Sequence, residues 1–99
     1  MDHVLTLYVS GQSRLSQDAI GRIETICEDR LCGKYQLDVV DVFEHPDMAE
    51  KDKILATPTL VRRLPPPLRR IVGSMSNERE VLLGLDLVER AEPVQEPEF

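Results

Sequence analysis

Val4, Leu5, Leu7, Tyr8 and Val9 form an apolar run interrupted only by Thr6, the pattern of a central strand covered on both faces. Ser10-Gly11 ends it. The period then lengthens: after Ser13, a suitable N-cap, Leu15, Ala19, Ile20, Ile23, Ile26, Cys27 and Leu31 fall on one side of a helix that Gly33 terminates. Residues 36–43 read as a second strand, and a single helix between two strands implies a parallel βαβ unit. His45-Pro46-Asp47 opens a short helix, with proline in its first turn and Asp47 and Glu50 near the positive end of its dipole. Strands at 59–63 and 68–72 form a hairpin around Pro65, Pro66 and Pro67, because residues without an N–H cannot sit in a central ladder. Ser76 is placed to cap a last helix, with Glu78 in its first turn and Val81, Leu82, Leu85 and Val88 along one face. The order is β-α-β-α-β-β-α.

That order is the one of thioredoxin, and Thr57-Pro58-Thr59 resembles the loop of that superfamily in which a cis-proline precedes a strand. The last segment also satisfies a second period. Val81, Leu83, Leu85 and Leu87 alternate with Leu82, Gly84, Asp86 and Val88, as a strand would require. Gly84 costs a helix about 1 kcal/mol relative to alanine and Asp86 is a weak helix former, so propensity does not separate the two readings.

The 99 residues suffice for one domain with a modest core; residues 1–90 are expected to form it, leaving 91–99 as an acidic disordered tail. Acidic residues outnumber basic ones 18 to 12, a net charge of −6, which argues against nucleic acid and anionic membranes as partners. No apolar run approaches the roughly 20 residues of a membrane helix. The first residues lack the basic and apolar regions of a signal peptide, so a cytoplasmic location is expected. Arg62, Arg63, Arg69 and Arg70 bracket the proline run. A basic patch on an acidic protein suits an acidic protein surface, although solvated strand ends give the same pattern.

Cys27 and Cys32 match neither the Cys-x-x-Cys redox spacing nor a common zinc knuckle, and read as free thiols, with no cofactor or metal expected. A thioredoxin-fold oxidoreductase would place its nucleophile in the turn between the first strand and helix. That turn runs Gly11-Gln-Ser-Arg-Leu-Ser16 and offers no thiolate. His3 and His45 suggest no triad. A non-catalytic role is therefore expected, a redox-inactive binding module of thioredoxin fold being one form of it.

Leu7-Tyr-Val-Ser-Gly11, Val40-Asp-Val42, Asp52-Lys-Ile-Leu-Ala-Thr-Pro-Thr-Leu60, Pro65-Pro-Pro-Leu-Arg-Arg-Ile71, Ser76-Asn77 and Gly84-Leu-Asp-Leu87 together resemble the KaiB family of clock proteins over residues 5–87. The resemblance implies a metamorphic regulator. Its free form in many members is a tetramer of order β-α-β-β-α-α-β, and its partner-bound form is a thioredoxin-like monomer, with the segment matching 81–88 a strand in the first and a helix in the second. It also implies docking on the N-terminal ATPase ring of a KaiC-type hexamer, with KaiA and the SasA-type histidine kinase as further partners. Lys53, Arg62 and Arg70 keep the family's basic character and are candidates for the KaiC-facing patch. Pro58, Pro65, Pro66, Pro67, Gly84 and Asp86 are candidates for the switch, proline isomerisation being a natural source of slow conversion. Positions often basic in clock members are here Thr6, Asp18 and Asp38, and positions often aromatic are His3 and Glu89. If the tetramer buries position 89, the Glu89 carboxylate disfavours it, so a resting thioredoxin-like monomer is expected. Either a circadian oscillator or a non-oscillating stress or metabolic timer is compatible with the resemblance.

Overall fold

The computed structural model describes residues 3–87; Val88, Glu89 and the expected tail at 91–99 lie outside them. The elements are β1 (His3–Val9), α1 (Arg14–Leu31), β2 (Tyr35–Asp41), α2 (Pro46–Lys51), β3 (Thr59–Leu64), β4 (Arg69–Val72) and α3 (Glu78–Gly84). This is the thioredoxin order. The sheet runs β2-β1-β3-β4, with β1 parallel to β2 and antiparallel to β3.

Alternation along the strands divides the interior between the two faces of the sheet. Leu5, Leu7, Val9 and Leu60 pack with Ala19, Ile23, Ile26 and Cys27 of α1 and Val81 and Leu82 of α3. On the opposite face Tyr8, Val40 and Val61 pack against Ala49 and Ile54. Every residue from Leu5 to Val9 is buried, as a doubly covered central strand requires.

Local hydrogen bonding moves several boundaries. Ser13 caps α1 as expected, accepting from the Ser16 N–H at 3.2 Å, and Cys32 in the left-handed region (φ 50°) closes it ahead of Gly33. β2 stops two residues early, because the Asp41 carboxylate accepts the Phe43 N–H (2.9 Å) and the Gly11 N–H (3.2 Å) and folds the chain into a turn. The cap of α3 is Asn77 rather than Ser76: its side-chain oxygen accepts the Glu80 N–H at 3.2 Å.

α3 also ends sooner than its apolar period suggests. The Leu87 N–H reaches the Leu82 carbonyl (2.8 Å), the Asp86 N–H reaches that of Leu83 (3.1 Å), and Asp86 adopts φ 60°. This is a Schellman closure with aspartate at the position where glycine is usual. The Thr57–Pro58, Leu64–Pro65 and Pro66–Pro67 bonds are cis.

Candidate partner-docking surface

The end of the sheet where thioredoxin enzymes carry their nucleophile is built here from serines. Ser16, buried at the start of α1, donates from its hydroxyl to the Ser10 carbonyl (3.3 Å) and accepts from the Ser10 N–H (3.2 Å). Neither cysteine is in this turn. Cys27 is buried on α1 and Cys32 is exposed at its far end; burial first, then Glu28 and Glu24, push the Cys27 thiol up to about 11. A thiol that resists ionisation is a poor nucleophile.

Beside this turn the surface is apolar. Phe43 is 75% and Leu55 96% exposed, and Phe43 lies 3.8 Å from where a side chain on Gly11 would begin. A groove of about 550 Å³ runs between α2 and the following loop, lined by Val42, Pro46, Ala49, Ile54 and Leu55 with Glu50 and Lys53. Large side chains left in water at such a place characterise surfaces that meet other proteins.

The α2–β3 connection is clamped to the sheet by a charged cluster. Arg63 donates to the Asp52 carboxylate at 2.5 Å and to Thr6 Oγ1 at 3.0 Å. The Tyr8 hydroxyl also donates to Asp52. The Arg63 hydrogen bond holds the Asp52 carboxyl below its ordinary range, and burial, then Asp52, raises the Tyr8 hydroxyl. Arg70, across the ladder on β4, donates to the Asp52 backbone carbonyl at 3.0 Å. Lys53 follows at φ 57° and is exposed. Lys53 and Arg70 are thus brought together around Asp52, next to the apolar groove.

Arg62 departs from the expectation of an exposed patch residue. Adjacent strand residues point to opposite faces, so Arg63 on the α2 side places Arg62 on the α1/α3 side, where it is 2% exposed. Its guanidinium donates to the Asp86 carboxylate (2.9 Å), the Leu85 carbonyl (3.2 Å) and the Pro67 carbonyl (2.9 Å). It therefore ties the turn containing Pro65, Pro66 and Pro67 to the end of α3. Gly84 sits in that last turn, where a Cβ would stand 2.7 Å from the Ile71 side chain. Tyr8, Asp52, Phe43 and Leu55 were not singled out as site residues by the sequence patterns, and Arg63 was read only as one of four arginines in a basic patch. The Arg62-Arg63 pair carried the one usable signal, since two successive charges on a buried strand cannot both face water.

Comparison with known proteins gives the family and the fold. The KaiB domain model matches residues 6–87. The chain is 50% identical over 95 residues to the circadian clock protein KaiB3 of Synechocystis sp., covering 96% of this chain and 93% of that protein. It is 51% identical over 86 residues to the circadian clock oscillator protein KaiB of Thermostichus vulcanus, covering 87% and 80% respectively. Among solved structures, the N-terminal domain of Synechococcus elongatus SasA has a TM-score of 0.72 at 21% identity, over 96% of this chain and 90% of that domain. Mitochondrial thioredoxin 3 of Saccharomyces cerevisiae has 0.71 at 18%, over 88% and 79%. The fold is that of thioredoxin, and by its sequence the chain belongs to the KaiB family.

Proposed function

We propose that this chain is a non-catalytic regulator that docks, in its thioredoxin-like form, on the N-terminal ATPase ring of a KaiC-type hexamer and controls that protein's phosphorylation and ATPase cycle. The observation that carries the reading is the identity of about one residue in two with clock proteins across nearly the whole chain. The docking surface is taken to be Lys53 and Arg70 with the groove between α2 and Leu55. There, exposed apolar area supplies affinity and the two cations supply complementarity to an acidic partner. Arg62 is left out of that surface, because its charge is consumed inside the fold. A cytoplasmic location and a domain ending near residue 90 go with this reading.

The same family membership supports metamorphic behaviour, with a β-α-β-β-α-α-β homotetramer as the alternative form. Pro58, Pro65, Pro66 and Pro67, with Gly84, Asp86 and Glu89, are the positions proposed to govern it. If only the thioredoxin-like form binds, apparent affinity falls in proportion to its population. KaiA and a SasA-type kinase are further partners under this reading, although Thr6, Asp18 and Asp38 remove positive charge that clock members often carry.

The test is co-migration of the chain with a KaiC-type hexamer on a sizing column, beside a Lys53→Glu/Arg70→Glu variant of unchanged circular dichroism. Co-migration lost in the variant supports both the partner and the surface. Absence of binding in every nucleotide state overturns the function, and undiminished binding of the variant overturns the surface.

A further inference from the structure

β4 pairs with β3 along one side, and among the described residues no strand pairs with its other side. Its outward N–H and C=O groups are therefore open to a further strand, the arrangement through which extended peptides add to exposed sheets. Register decides where its side chains go. Arg70 stands opposite Val61, which packs with Tyr8 on the α2 side of the sheet, so Arg70 and Val72 face α2 while Arg69 and Ile71 face α1 and α3. Ile71 packs against the core, whereas Val72 is 62% exposed and both arginines are exposed. Each face of this edge thus presents one guanidinium. Among the described residues neither has a carboxylate at hydrogen-bond distance: Asp86 lies 2.9 Å from Arg62 but 4.0 Å from Arg69, Asp52 is taken by Arg63 at 2.5 Å, and Arg70 donates to a neutral carbonyl.

The adjacent charges discriminate between occupants. Two copies of β4 side by side bring the arginines of both onto one four-residue edge, and like charges across a strand pair are destabilising. β2, the opposite edge of the sheet, carries Asp38 and Asp41 three residues apart, so no register of a second copy sets a carboxylate against both Arg69 and Arg70. A strand with two adjacent acidic residues does so, because alternation puts one carboxylate on each face. We propose that the outer edge of β4 receives an extended acidic segment of a partner protein as an added strand, its adjacent carboxylates meeting Arg69 and Arg70 and an apolar residue meeting Val72. The source of the segment rests on the function proposed above: it belongs to the KaiC-type hexamer. Arg69, on the face away from the groove beside α2, then contributes to binding as Arg70 does.

The test titrates the nitrogen-15-labelled full chain with a terminally blocked peptide of about eight residues, the length of an ordinary strand, built of valine and threonine around two adjacent glutamates. Strand addition gives saturable shift changes at the amides of 69–72 and contacts between the peptide and the β4 backbone. Replacing both glutamates by glutamine should weaken binding about two- to thirtyfold, the range of two cross-strand charge pairs, and an Arg69→Gln chain of unchanged circular dichroism should lose part of the same factor. Unmoved 69–72 amides, equal binding of the glutamine peptide, or shifts centred on the groove beside α2 overturn the proposal. The glutamate peptide should also release the chain from a KaiC-type hexamer on a sizing column. A peptide that binds β4 without releasing the chain overturns the hexamer as the source of the segment. A hexamer that fails to bind the chain, while the peptide binds β4, refutes the function and leaves the edge site standing.

Discussion

Arg62 and Arg63 stand side by side in β3 and face opposite ways, so the two charges have different duties. Arg63 closes a partly buried cluster with Asp52 and Tyr8, whereas Arg62 is 2% exposed and joins three acceptors on two separate segments. Replacing Arg62 by methionine leaves the Pro67 and Leu85 carbonyls without that donor, and should lower unfolding free energy by about 1–3 kcal/mol in urea titration. The same change at the exposed Arg70 should cost less than about 1 kcal/mol.

A pH dependence follows from Cys27. Burial raises its thiol from 9.0 to about 11, so below pH 9 both folded and unfolded chains hold the proton. Between 9 and 11 only the folded chain does. Stability should therefore fall across that window by about 1–3 kcal/mol, and a Cys27→Ala variant, whatever its stability at pH 7, should show a shallower decline in urea midpoint over the same range.

Among the elements, α1 was legible because its 18 residues carry enough turns for a 3.6-residue period to be unmistakable. The β3–β4 hairpin was legible because three consecutive prolines exclude a ladder. α3 was not fixed by pattern: its seven residues are too few to separate helical from alternating periodicity, and only packing of Val81, Leu82 and Leu85 against the core decides the matter. The same brevity makes it dependent on its cap. Asn77→Ala removes the acceptor for the Glu80 N–H and should destabilise by about 1 kcal/mol. Amide exchange should quicken most at residues 80–85, while α1 changes only as far as global stability does. The candidate surface was half legible. Lys53 and Arg70 were found as cations, but the contact that brings them together runs through the Asp52 carbonyl, a backbone group that no side-chain pattern announces.

At the scale of the molecule, the thioredoxin frame carries serines in its first turn, where redox enzymes of that fold carry a cysteine, and exposes apolar side chains beside it. The groove beside α2, exposed Leu55 and Phe43, and the cations around Asp52 lie beside that turn and the α2–β3 connection. The docking surface proposed above spans α2, its following loop and β4, and the Tyr8–Asp52–Arg63 cluster ties the α2–β3 connection to the sheet. The most direct measurement is hydrogen–deuterium exchange of the full chain alone and bound to a KaiC-type hexamer. Docking through this surface should slow exchange by about tenfold or more at residues 46–55 and 69–72, with little change along α1. Protection confined to α1 or to β2, or a hexamer that leaves the exchange of the chain unaltered, would contradict it.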